Sequence, residues 1–412
     1  MTVAEQCKLA KIASTNFNLT TEQKNALLKD ISARIEAMCD EIIFANHKDV
    51  ASAREREESH AFIDRLTLNK ARVTQMYEGV ATVASLPDPV GEVTEDYLVP
   101  SGLHIKKVRA PMGVIGIIFE ARPNVAVDAV ALCLKSGNAV VLRGSRDSAQ
   151  SVAELVKLLK GSLSDMGVDP NLVINIEGGH ESAEEMLSLG DCIDVVIPRG
   201  GDGLKNFVLQ HAKMPVIASG GGNCHTYVAS SADQERAIKV ILNAKTSRPA
   251  TCNALETLLI DKKILMEFAP KVIEALVDAK VEVRGDAEIK KLVPTVTLCD
   301  EAEYFKEYDD LIIKVKAVDG VAEAINHINK YGSHHSDAII TATSEEGELF
   351  TKAVDSAAVY INASTRFTDG FEFGLGAEMG ISTQRLHVRG PIGLRDLTQT
   401  KYVVHGDYTE RR

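Results

Sequence analysis

A cysteine on a short polar loop is the first group in this chain whose chemistry and position suggest a nucleophile. Cys252 follows Arg248 and Pro249 and precedes residues 254–260, an apolar run with a β-branched end that predicts a buried strand. A strand that enters a core fixes the loop before it, and catalytic groups are often held on such loops. A thiol with an ordinary pKa of about 8.5 needs a cation or backbone N–H groups to stabilise its thiolate, and Arg248 could supply the charge. On this window alone, a buried space-filling thiol explains Cys252 equally well.

The elements that must position this loop alternate between strands and helices. From residue 111 to residue 217, apolar runs typical of strands alternate with helical patterns, and a second alternation fills residues 224–394. This order predicts two doubly wound α/β lobes, whose parallel strands end at a ligand crevice. Residues 215–217 are expected to be one of these strands. Glycines cluster at 178–179, 200–203 and 220–222, where the backbone could approach a phosphate, although each cluster alone is more often a turn.

Other segments flank the two lobes. Residues 1–85 carry apolar residues at helical intervals, with capping-box spacing at Thr20 and Gln23, and the charged run 54–58 is expected to form a solvated helix face. Turn residues 100–102 separate two extended arms within residues 91–109, which predicts a projecting β-hairpin. Residues 398–405 have the pattern of an exposed strand, and we expect them to accompany the hairpin.

Composition excludes several classes of protein. The 412 residues are too many for one core, and the 45% hydrophobic and 25% charged residues indicate a soluble globular protein. The net charge of −12 argues against a nucleic-acid surface. Seven cysteines without a Cys-x-x-Cys pair do not indicate a disulfide framework, a zinc ribbon or a redox dithiol. No signal peptide or membrane-spanning run is found, so a reducing cytoplasm is expected.

Nucleotide hydrolysis and metal binding are also disfavoured. No Gly-x-Gly-x-x-Gly follows the first strand of the alternation, and no Gly-Lys-Ser/Thr phosphate loop occurs, which argues against ATP hydrolysis. The pairs Cys224-His225 and His334-His335 are poor chelators because adjacent residues of an extended chain point to opposite faces. We therefore expect no metal.

Several long motifs follow one another in a fixed order: Pro111-Met-Gly-Val-Ile-Gly-Ile, Phe119-Glu-Ala-Arg-Pro-Asn124, Gly137-Asn-Ala-Val-Val-Leu-Arg143, Asp194-Val-Val-Ile-Pro-Arg-Gly-Gly201, Gly220–Gly222, Ser247-Arg-Pro-Ala-Thr-Cys-Asn-Ala-Leu-Glu-Thr257, Asn362-Ala-Ser-Thr-Arg-Phe-Thr368, Phe373-Gly-Leu-Gly-Ala-Glu378 and Arg389-Gly-Pro-Ile-Gly-Leu394. Their order and spacing resemble the aldehyde dehydrogenase superfamily over nearly the whole chain. The longer motifs are similar to its γ-glutamyl phosphate reductase family.

The resemblance implies a reaction for Cys252. This cysteine would attack the acyl carbon of γ-glutamyl phosphate, expel phosphate and form a thioester, which hydride from NADPH would reduce to glutamate 5-semialdehyde, the second step of proline biosynthesis from glutamate. The Cys252 N–H would be one oxyanion donor and Asn124 the other. Glu120 and Arg122 compete with Asn124 for that space, and a structural turn role for Asn124 is an equal alternative.

Two departures from the superfamily pattern bear on the reaction and the cofactor. The glutamate that activates hydrolytic water in oxidative members is replaced by Ser219-Gly220, so the thioester should be left for phosphate. After the strand that ends near residue 142, Arg143 replaces a lysine, and Arg146 replaces the acidic residue of NAD-preferring members. The segment formed by Arg143, Gly144, Ser145 and Arg146 would therefore favour the 2′-phosphate of NADP. Arg146 as a solvated loop residue is the alternative.

The resemblance also implies further cofactor and substrate contacts. Gly200 and Gly201 would face the cofactor phosphates, and Glu307 would hold the nicotinamide ribose, unless it is simply a surface residue. Arg248 and Arg366 are candidates for the substrate carboxylate, with Thr365 beside them; either arginine could instead pair with a structural carboxylate.

These assignments define the expected domains and partners. Residues 1–90 and 110–222 would form the N-terminal helices and the NADP-binding domain, and residues 223–394 the catalytic domain. Residues 91–109 and 395–412 would build a homo-oligomer, a dimer or a multiple of dimers. The labile acyl phosphate suggests transient contact with glutamate 5-kinase. The alternatives are an NAD(P)-dependent oxidation of a semialdehyde to the free acid and a catalytically inactive binding protein on the same fold.

Overall fold

Helices form the N-terminal part of the chain in the computed structural model, which describes residues 1–411 apart from the side chain of residue 61. At the start of α2, the Gln23 N–H donates to Thr20 Oγ1 at 3.3 Å and the Thr20 N–H donates to Gln23 Oε1 at 2.9 Å, which confirms the capping box. The five helices are α1 Val3–Thr15, α2 Thr21–Ala37, α3 Cys39–Glu55, α4 His60–Leu66 and α5 Lys70–Ser85.

Only Arg54 and Glu55 of the charged run 54–58 lie on the exposed helix face that its composition predicts. Helix α3 ends at Glu55, and Glu57 has a left-handed backbone with a φ of 57°. A left-handed residue cannot continue a right-handed helix, so the run turns away from α3 instead of extending it.

A four-stranded parallel sheet follows an antiparallel hairpin. The sheet order is β5-β4-β3-β6, and β3 is buried along its whole length. Residues 215–217 contribute only an isolated bridge between Val196 and Val216, because neither Pro215 nor Pro198 has an N–H with which to extend the ladder. The elements of this part are β1 Val93–Leu98, β2 His104–Pro111, β3 Val114–Phe119, α6 Asn124–Lys135, β4 Ala139–Gly144, α7 Ala149–Asp165, β5 Val173–Asn175, α8 His180–Ser188, β6 Val195–Arg199 and α9 Asp202–His211.

A seven-stranded parallel sheet forms the second half of the chain, in the order β10-β9-β11-β8-β7-β12-β13. Its core strand β8 is fully buried. Residues of β9 and β10 were not expected to be strands, since they are too short to show an alternating pattern. The elements are β7 Cys224–Val228, α10 Gln234–Thr246, β8 Leu255–Asp261, α11 Leu265–Asp278, β9 Glu282–Gly285, α12 Ala287–Leu292, β10 Thr297–Leu298, β11 Ile312–Val318, α13 Gly320–Tyr331, β12 Ser336–Ile340, α14 Ser344–Ala353, β13 Ala358–Ile361, β14 Ile381–Ser382, β15 Gly390–Pro391 and β16 Thr398–His405.

The last strand pairs with the hairpin. Strand β16 runs antiparallel to β2 from the Thr398–Pro111 pair to the His405–His104 pair, and β2 pairs with β1 on its other side. The predicted hairpin and exposed strand therefore form one three-stranded antiparallel sheet. Both outer strands of this sheet are largely exposed.

The chain separates into two units between Ser219 and Gly220. The first unit contains Met1–Ser219, Gly374–Gly380 and the chain from Ile392 onwards, and the second contains Gly220–Phe373 and Ile381–Pro391. Each unit holds one parallel sheet flanked by helices, so the predicted α/β fold class is confirmed. Within residues 1–411, we find no helix with the length and hydropathy of a membrane span.

Candidate active site

Cys252 lies on the loop that joins α10 to β8, and hydrogen bonds of the Asn253 and Thr365 side chains fix this loop. Asn253 Nδ2 donates to the carbonyl oxygens of Arg366 at 3.2 Å and Thr368 at 3.0 Å. In return, the buried Thr365 hydroxyl donates to the Asn253 carbonyl at 2.7 Å. These bonds tie the cysteine loop to the short helical turn Thr365–Phe367. Thr365, predicted to contact substrate, is thus part of the support of the loop.

Arg366, the residue after Thr365, also supports the cysteine loop. Its Nη1 donates to Thr251 Oγ1 at 3.0 Å and also contacts Asn253 Oδ1, and its Nε donates to Ser247 Oγ at 3.2 Å. Burial and the charge of the neighbouring Arg248 lower the pKa of the Arg366 guanidinium. Arg248 itself lies exposed on the loop. The structure therefore brings both predicted substrate arginines to the cysteine loop, with Nε and Nη1 of Arg366 already engaged by the protein.

Glycine is required where the loop meets the start of β7. A Cβ added at Gly222 would fall 1.3 Å from the Cys252 carbonyl oxygen, a distance at which two atoms overlap. The buried Cys224 thiol donates to the same carbonyl at 3.1 Å. Burial raises the pKa of Cys224 well above its ordinary value, so this neighbour stays protonated. Cys252 is partly exposed, whereas Cys224 is enclosed, and the difference directs reactivity to Cys252.

Glu307 brings a carboxylate to the glycine turn. Its Oε1 accepts a hydrogen bond of 2.7 Å from the Gly222 N–H, and a Cβ at Gly221 would fall 2.5 Å from its Oε2. Glu307 is partly buried. The sequence has no carboxylate at Ser219-Gly220. The contact of Glu307 with the adjacent turn was not predicted, because the two lie 85 positions apart. No spacing signal in the sequence connects the two.

A buried ion pair holds the segment that carries Glu307. Lys245 Nζ lies 2.9 Å from Glu256 Oε1, and both side chains are fully buried. Glu256 Oε2 accepts the Tyr308 N–H at 3.0 Å. Burial raises the pKa of Glu256, although Lys245 opposes this shift. The residue after Glu307 is therefore anchored to strand β8.

A second buried amine joins the Glu307 segment to the glycine turn. Lys314 Nζ donates to Asn223 Oδ1 at 2.9 Å and also contacts the Lys306 carbonyl. Asn223 Nδ2 in turn donates to the carbonyls of Tyr304 at 2.6 Å and Tyr331 at 2.7 Å. Burial lowers the pKa of Lys314 to about 8, against the opposing charge of Glu256. This network fixes both sides of the Gly222–Glu307 contact.

A pocket of about 280 Å³ lies at the end of β4, beside the predicted NADP segment. Arg143 is buried there, and its guanidinium donates to the carbonyls of Gly144 at 2.6 Å and Gly178 at 3.2 Å. Burial lowers the pKa of Arg143, and the nearby Arg146 adds to the effect. Arg143 thus shapes the loops around the pocket. The lining includes Gly144, Ser145, Arg146, Gln150, Asn175, Glu177 and Gly178.

Arg146 has the exposure expected of a group that could meet a ligand. Its side chain is 75% exposed; its Nε donates to the Gly178 carbonyl at 3.4 Å, and its guanidinium lies 3.9 Å from the equally exposed Glu181. Arg146 is exposed, as the alternative of a solvated loop residue requires. It also lines the pocket, which that alternative does not explain.

The predicted phosphate turn at Gly200 and Gly201 is in contact with a carboxylate from another segment of the chain. Glu120 Oε2 accepts the Gly201 N–H at 2.9 Å, at the start of α9, and a Cβ at Gly200 would fall 2.5 Å from that oxygen. A carboxylate at a helix N terminus takes the place that an anion would occupy. A phosphate that binds at this turn must displace Glu120.

Asn124 is the first residue of α6, and its side chain already has one partner. Its Nδ2 donates to Asp128 Oδ2 at 3.2 Å. An amide nitrogen carries two hydrogens, so one N–H is left for another acceptor. Of its competitors, Glu120 is bonded to Gly201, and Arg122 is exposed.

The histidines considered as metal ligands each have Nδ1 engaged by a neighbouring group. His225 Nδ1 lies 3.1 Å from Asp337 Oδ1, and His335 Nδ1 lies 2.8 Å from Ser336 Oγ. Across the described part of the chain, no group of three or more His, Cys, Asp or Glu side chains is arranged to hold a metal ion.

Comparison with known proteins agrees with this architecture. Residues 2–301 match the model of the aldehyde dehydrogenase family. A γ-glutamyl phosphate reductase of Carboxydothermus hydrogenoformans is 49% identical over 406 residues, which cover 98% of each chain. Among solved structures, the γ-glutamyl phosphate reductase of Thermotoga maritima matches with a TM-score of 0.98 at 45% identity over 100% of both chains. That of Saccharomyces cerevisiae gives 0.54 at 31% identity, with coverage of 98% and 97%. The chain belongs to the γ-glutamyl phosphate reductases, within the aldehyde dehydrogenase family.

Proposed function

We propose that this enzyme reduces L-glutamate 5-phosphate to L-glutamate 5-semialdehyde and phosphate, through a thioester on Cys252, in proline biosynthesis. The observation that carries the proposal is the partly exposed Cys252 on a loop immobilised by Arg366, Asn253 and Gly222. Relatives that are 49% identical over almost the whole chain bear the name of this activity.

The chain supplies the nucleophile and the groups that support it. The Cys252 thiolate attacks the acyl carbon, an oxyanion forms on the carbonyl oxygen, and the bond to the phosphate oxygen breaks as phosphate leaves. We propose that the Cys252 N–H and the remaining amide N–H of Asn124 stabilise the oxyanion. Arg248, exposed on the cysteine loop, is the better placed of the two predicted cations for the substrate carboxylate, because Nε and Nη1 of Arg366 are engaged in holding the loop.

The residues around the pocket at the end of β4 fit a nicotinamide dinucleotide phosphate. Gly144, Ser145 and Arg146 line it, and the exposed Arg146 guanidinium suits the dianionic 2′-phosphate. When bound, NADPH supplies the hydride that takes the thioester to the aldehyde level. We propose that the cofactor phosphates displace Glu120 and contact Gly200 and Gly201, and that Glu307 holds the nicotinamide ribose.

One observation favours a second function, the oxidation of the semialdehyde to the free acid. Glu307 places a carboxylate against Gly221 and Gly222, close to the position of the hydrolytic base in oxidative members. However, Glu307 accepts a backbone hydrogen bond at 2.7 Å and is fixed by its neighbours. We propose that this bond keeps the carboxylate from acting as a base, so that phosphate rather than water takes the acyl group.

The reverse reaction separates these two functions. Purified enzyme, glutamate 5-semialdehyde and NADP⁺ are mixed, and NADPH absorbance is followed with and without inorganic phosphate. We expect a rate that depends on phosphate and is lost in Cys252→Ala but kept in Cys39→Ala, a matched control at the other partly exposed cysteine. An equal rate without phosphate would show that water takes the acyl group.

We also propose that the protein works in the cytoplasm as a homo-oligomer built through the three-stranded sheet of β1, β2 and β16, with transient contact to glutamate 5-kinase. The outer strands leave Leu98, Tyr402 and Val404 more than half exposed, which is a common property of interfaces. Tyr402→Glu should lower the mass measured by analytical ultracentrifugation if the sheet joins copies of the chain. An unchanged mass would contradict the proposed interface.

A further inference from the structure

A small pocket one helical turn beyond Asn124 holds charged groups that the proposed mechanism does not use. Its volume is about 20 Å³, which is the room for one water-sized group. Asp128 reaches it from α6, Arg199 from the end of β6 and Glu378 from the segment 374–380. The apolar part of the lining consists of Ile117, Val125, Ala129 and Met379.

The shape of this pocket depends on a glycine. Gly380 has a φ of 114°, which other residues rarely adopt, and a Cβ there would fall 1.9 Å from Arg199 Nη1. The guanidinium therefore occupies space that only glycine leaves open. The pocket is thus built by four separate segments of the same unit, β3, α6, β6 and residues 374–380.

Asp128 has one oxygen engaged and one available. Its Oδ2 accepts the Asn124 amide at 3.2 Å, and among the described residues none donates to its Oδ1. Burial raises the pKa of Asp128 to about 6, although the Asn124 bond and the charge of Arg199 oppose the shift. A partly buried carboxylate with a spare oxygen gains from a ligand that brings a positive charge.

The substrate class implied by the proposed function carries such a charge at a matching distance. In a γ-glutamyl chain, four bonds separate the carbonyl carbon from the α-ammonium nitrogen, a span of about 5 Å when extended. Asn124 and Asp128 are four positions apart on α6, and Asn124 Nδ2 lies 3.2 Å from Asp128 Oδ2, so a chain of this length can bridge the second amide N–H and the second carboxylate oxygen. If Asn124 binds the carbonyl end, Asp128 Oδ1 is then the acceptor for the ammonium group.

We propose that Asp128 binds the α-ammonium group of the substrate and thereby selects amino-acid semialdehydes over aldehydes without the amine. This inference rests on the proposed function. It assigns Asp128 a role in specificity, and the water-sized cavity beside it accommodates the ammonium head. Arg199 keeps the pocket from accumulating negative charge next to Asp128 and Glu378.

Two aldehydes that differ only in the amine test this assignment. The oxidative reaction with NADP⁺ and phosphate is measured on glutamate 5-semialdehyde and on 5-oxopentanoate, for wild type, Asp128→Asn and Asp128→Glu. Loss of a charge-assisted contact should lower kcat/KM of Asp128→Asn for the amino aldehyde about 10- to 100-fold, and for 5-oxopentanoate by no more than about threefold. Asp128→Glu, which keeps the charge, should retain part of the preference.

Controls separate this inference from the proposed function. Asp191→Asn, at an exposed carboxylate of the same unit, should leave the ratio of the two kcat/KM values unchanged. An equal loss on both aldehydes in Asp128→Asn would overturn the proposal, because Asp128 would then act only through Asn124 or the fold. No loss on either aldehyde would overturn it too. If wild type fails to oxidise glutamate 5-semialdehyde in phosphate, the proposed function itself is wrong.

Discussion

The Gly222 N–H donates a 2.7 Å hydrogen bond to Glu307 Oε1, and it thereby couples the turn beneath the cysteine loop to a segment 85 positions away. Gly222 also lies against the carbonyl of Cys252, with no room for a side chain between them. The position of the nucleophile and the position of this carboxylate are consequently set by the same residue.

Glu307→Gln tests whether this carboxylate acts as a hydrolytic base or binds the nicotinamide ribose. The amide can still accept the Gly222 N–H, so we expect the fold and the phosphate-dependent kcat to change by less than about threefold. The KM for NADP⁺ should rise several-fold if Glu307 binds the ribose. Any rate without phosphate should stay as it is in wild type. Loss of a phosphate-independent rate in this variant would instead identify Glu307 as a hydrolytic base.

Gly222→Ala should damage the site through sterics alone. Its Cβ would overlap the Cys252 carbonyl oxygen, so the cysteine loop must move, at a cost of about 3 kcal/mol or more in the free energy of unfolding. Gly203→Ala is the matched control, because that Cβ meets nothing within 4 Å and α9 should gain up to about 1 kcal/mol. Urea unfolding and alkylation of Cys252 report the two effects. Wild-type stability in Gly222→Ala would contradict the contact.

Substitutions of Arg248, on the cysteine loop, and of Arg366, which contacts that loop, should affect activity and stability differently. Arg366→Gln removes donors to Thr251 and Ser247, so we expect kcat to fall about 10- to 100-fold and the free energy of unfolding to fall by about 2 kcal/mol. Arg248→Gln, at an exposed side chain, should alter the substrate KM and leave stability within about 0.5 kcal/mol. The reverse pattern, with Arg366→Gln affecting only KM, would make Arg366 the substrate ligand.

The sequence predicted the strands and the nucleophile because both are local signals. Residues 114–119 form a buried strand with the predicted bounds, since an unbroken apolar run suits a strand covered on both faces. Cys252 stood out through its position before β8. The contacts of Glu307 with Gly222 and of Glu120 with Gly201 could not be predicted, because each joins residues more than 80 positions apart.

The role of an arginine was equally hidden from the sequence. Arg143 and Arg146 are three positions apart, yet the fold buries Arg143 against backbone carbonyls and leaves Arg146 exposed. Their charge and their spacing in the sequence do not distinguish the two arginines. Only the packing of the loop at residues 178–179 decides which one can reach a ligand.

Arg146→Gln tests the cofactor preference. The loss of one charge-assisted contact to a 2′-phosphate should lower kcat/KM for NADP⁺ about 10- to 100-fold and leave that for NAD⁺ within about threefold. Arg65→Gln, at an exposed arginine of α4 in the same unit, is the control for the change in net charge. Equal losses with both dinucleotides would contradict a role specific to the 2′-phosphate.

The buried His335 should make the protein less stable in acid. Burial lowers its pKa from 6.5 to about 4, so between pH 6.5 and pH 4 the unfolded chain binds a proton that the folded chain does not bind. The free energy of unfolding should therefore fall between pH 6.5 and pH 4, by about 3 kcal/mol from this residue. Urea unfolding of His335→Gln should show a shallower fall over that window than wild type. Identical slopes would contradict the shift.

A direct view of the acyl enzyme is the measurement that tests the central claim most closely. The enzyme is incubated with glutamate 5-semialdehyde and NADP⁺ without phosphate, and the peptide that contains Cys252 is followed by mass spectrometry. We predict a glutamyl adduct on Cys252 that persists and then disappears, with acyl phosphate formed, when phosphate is added. An adduct that decays to glutamate at the same rate with or without phosphate, or that never forms on Cys252, would contradict the account.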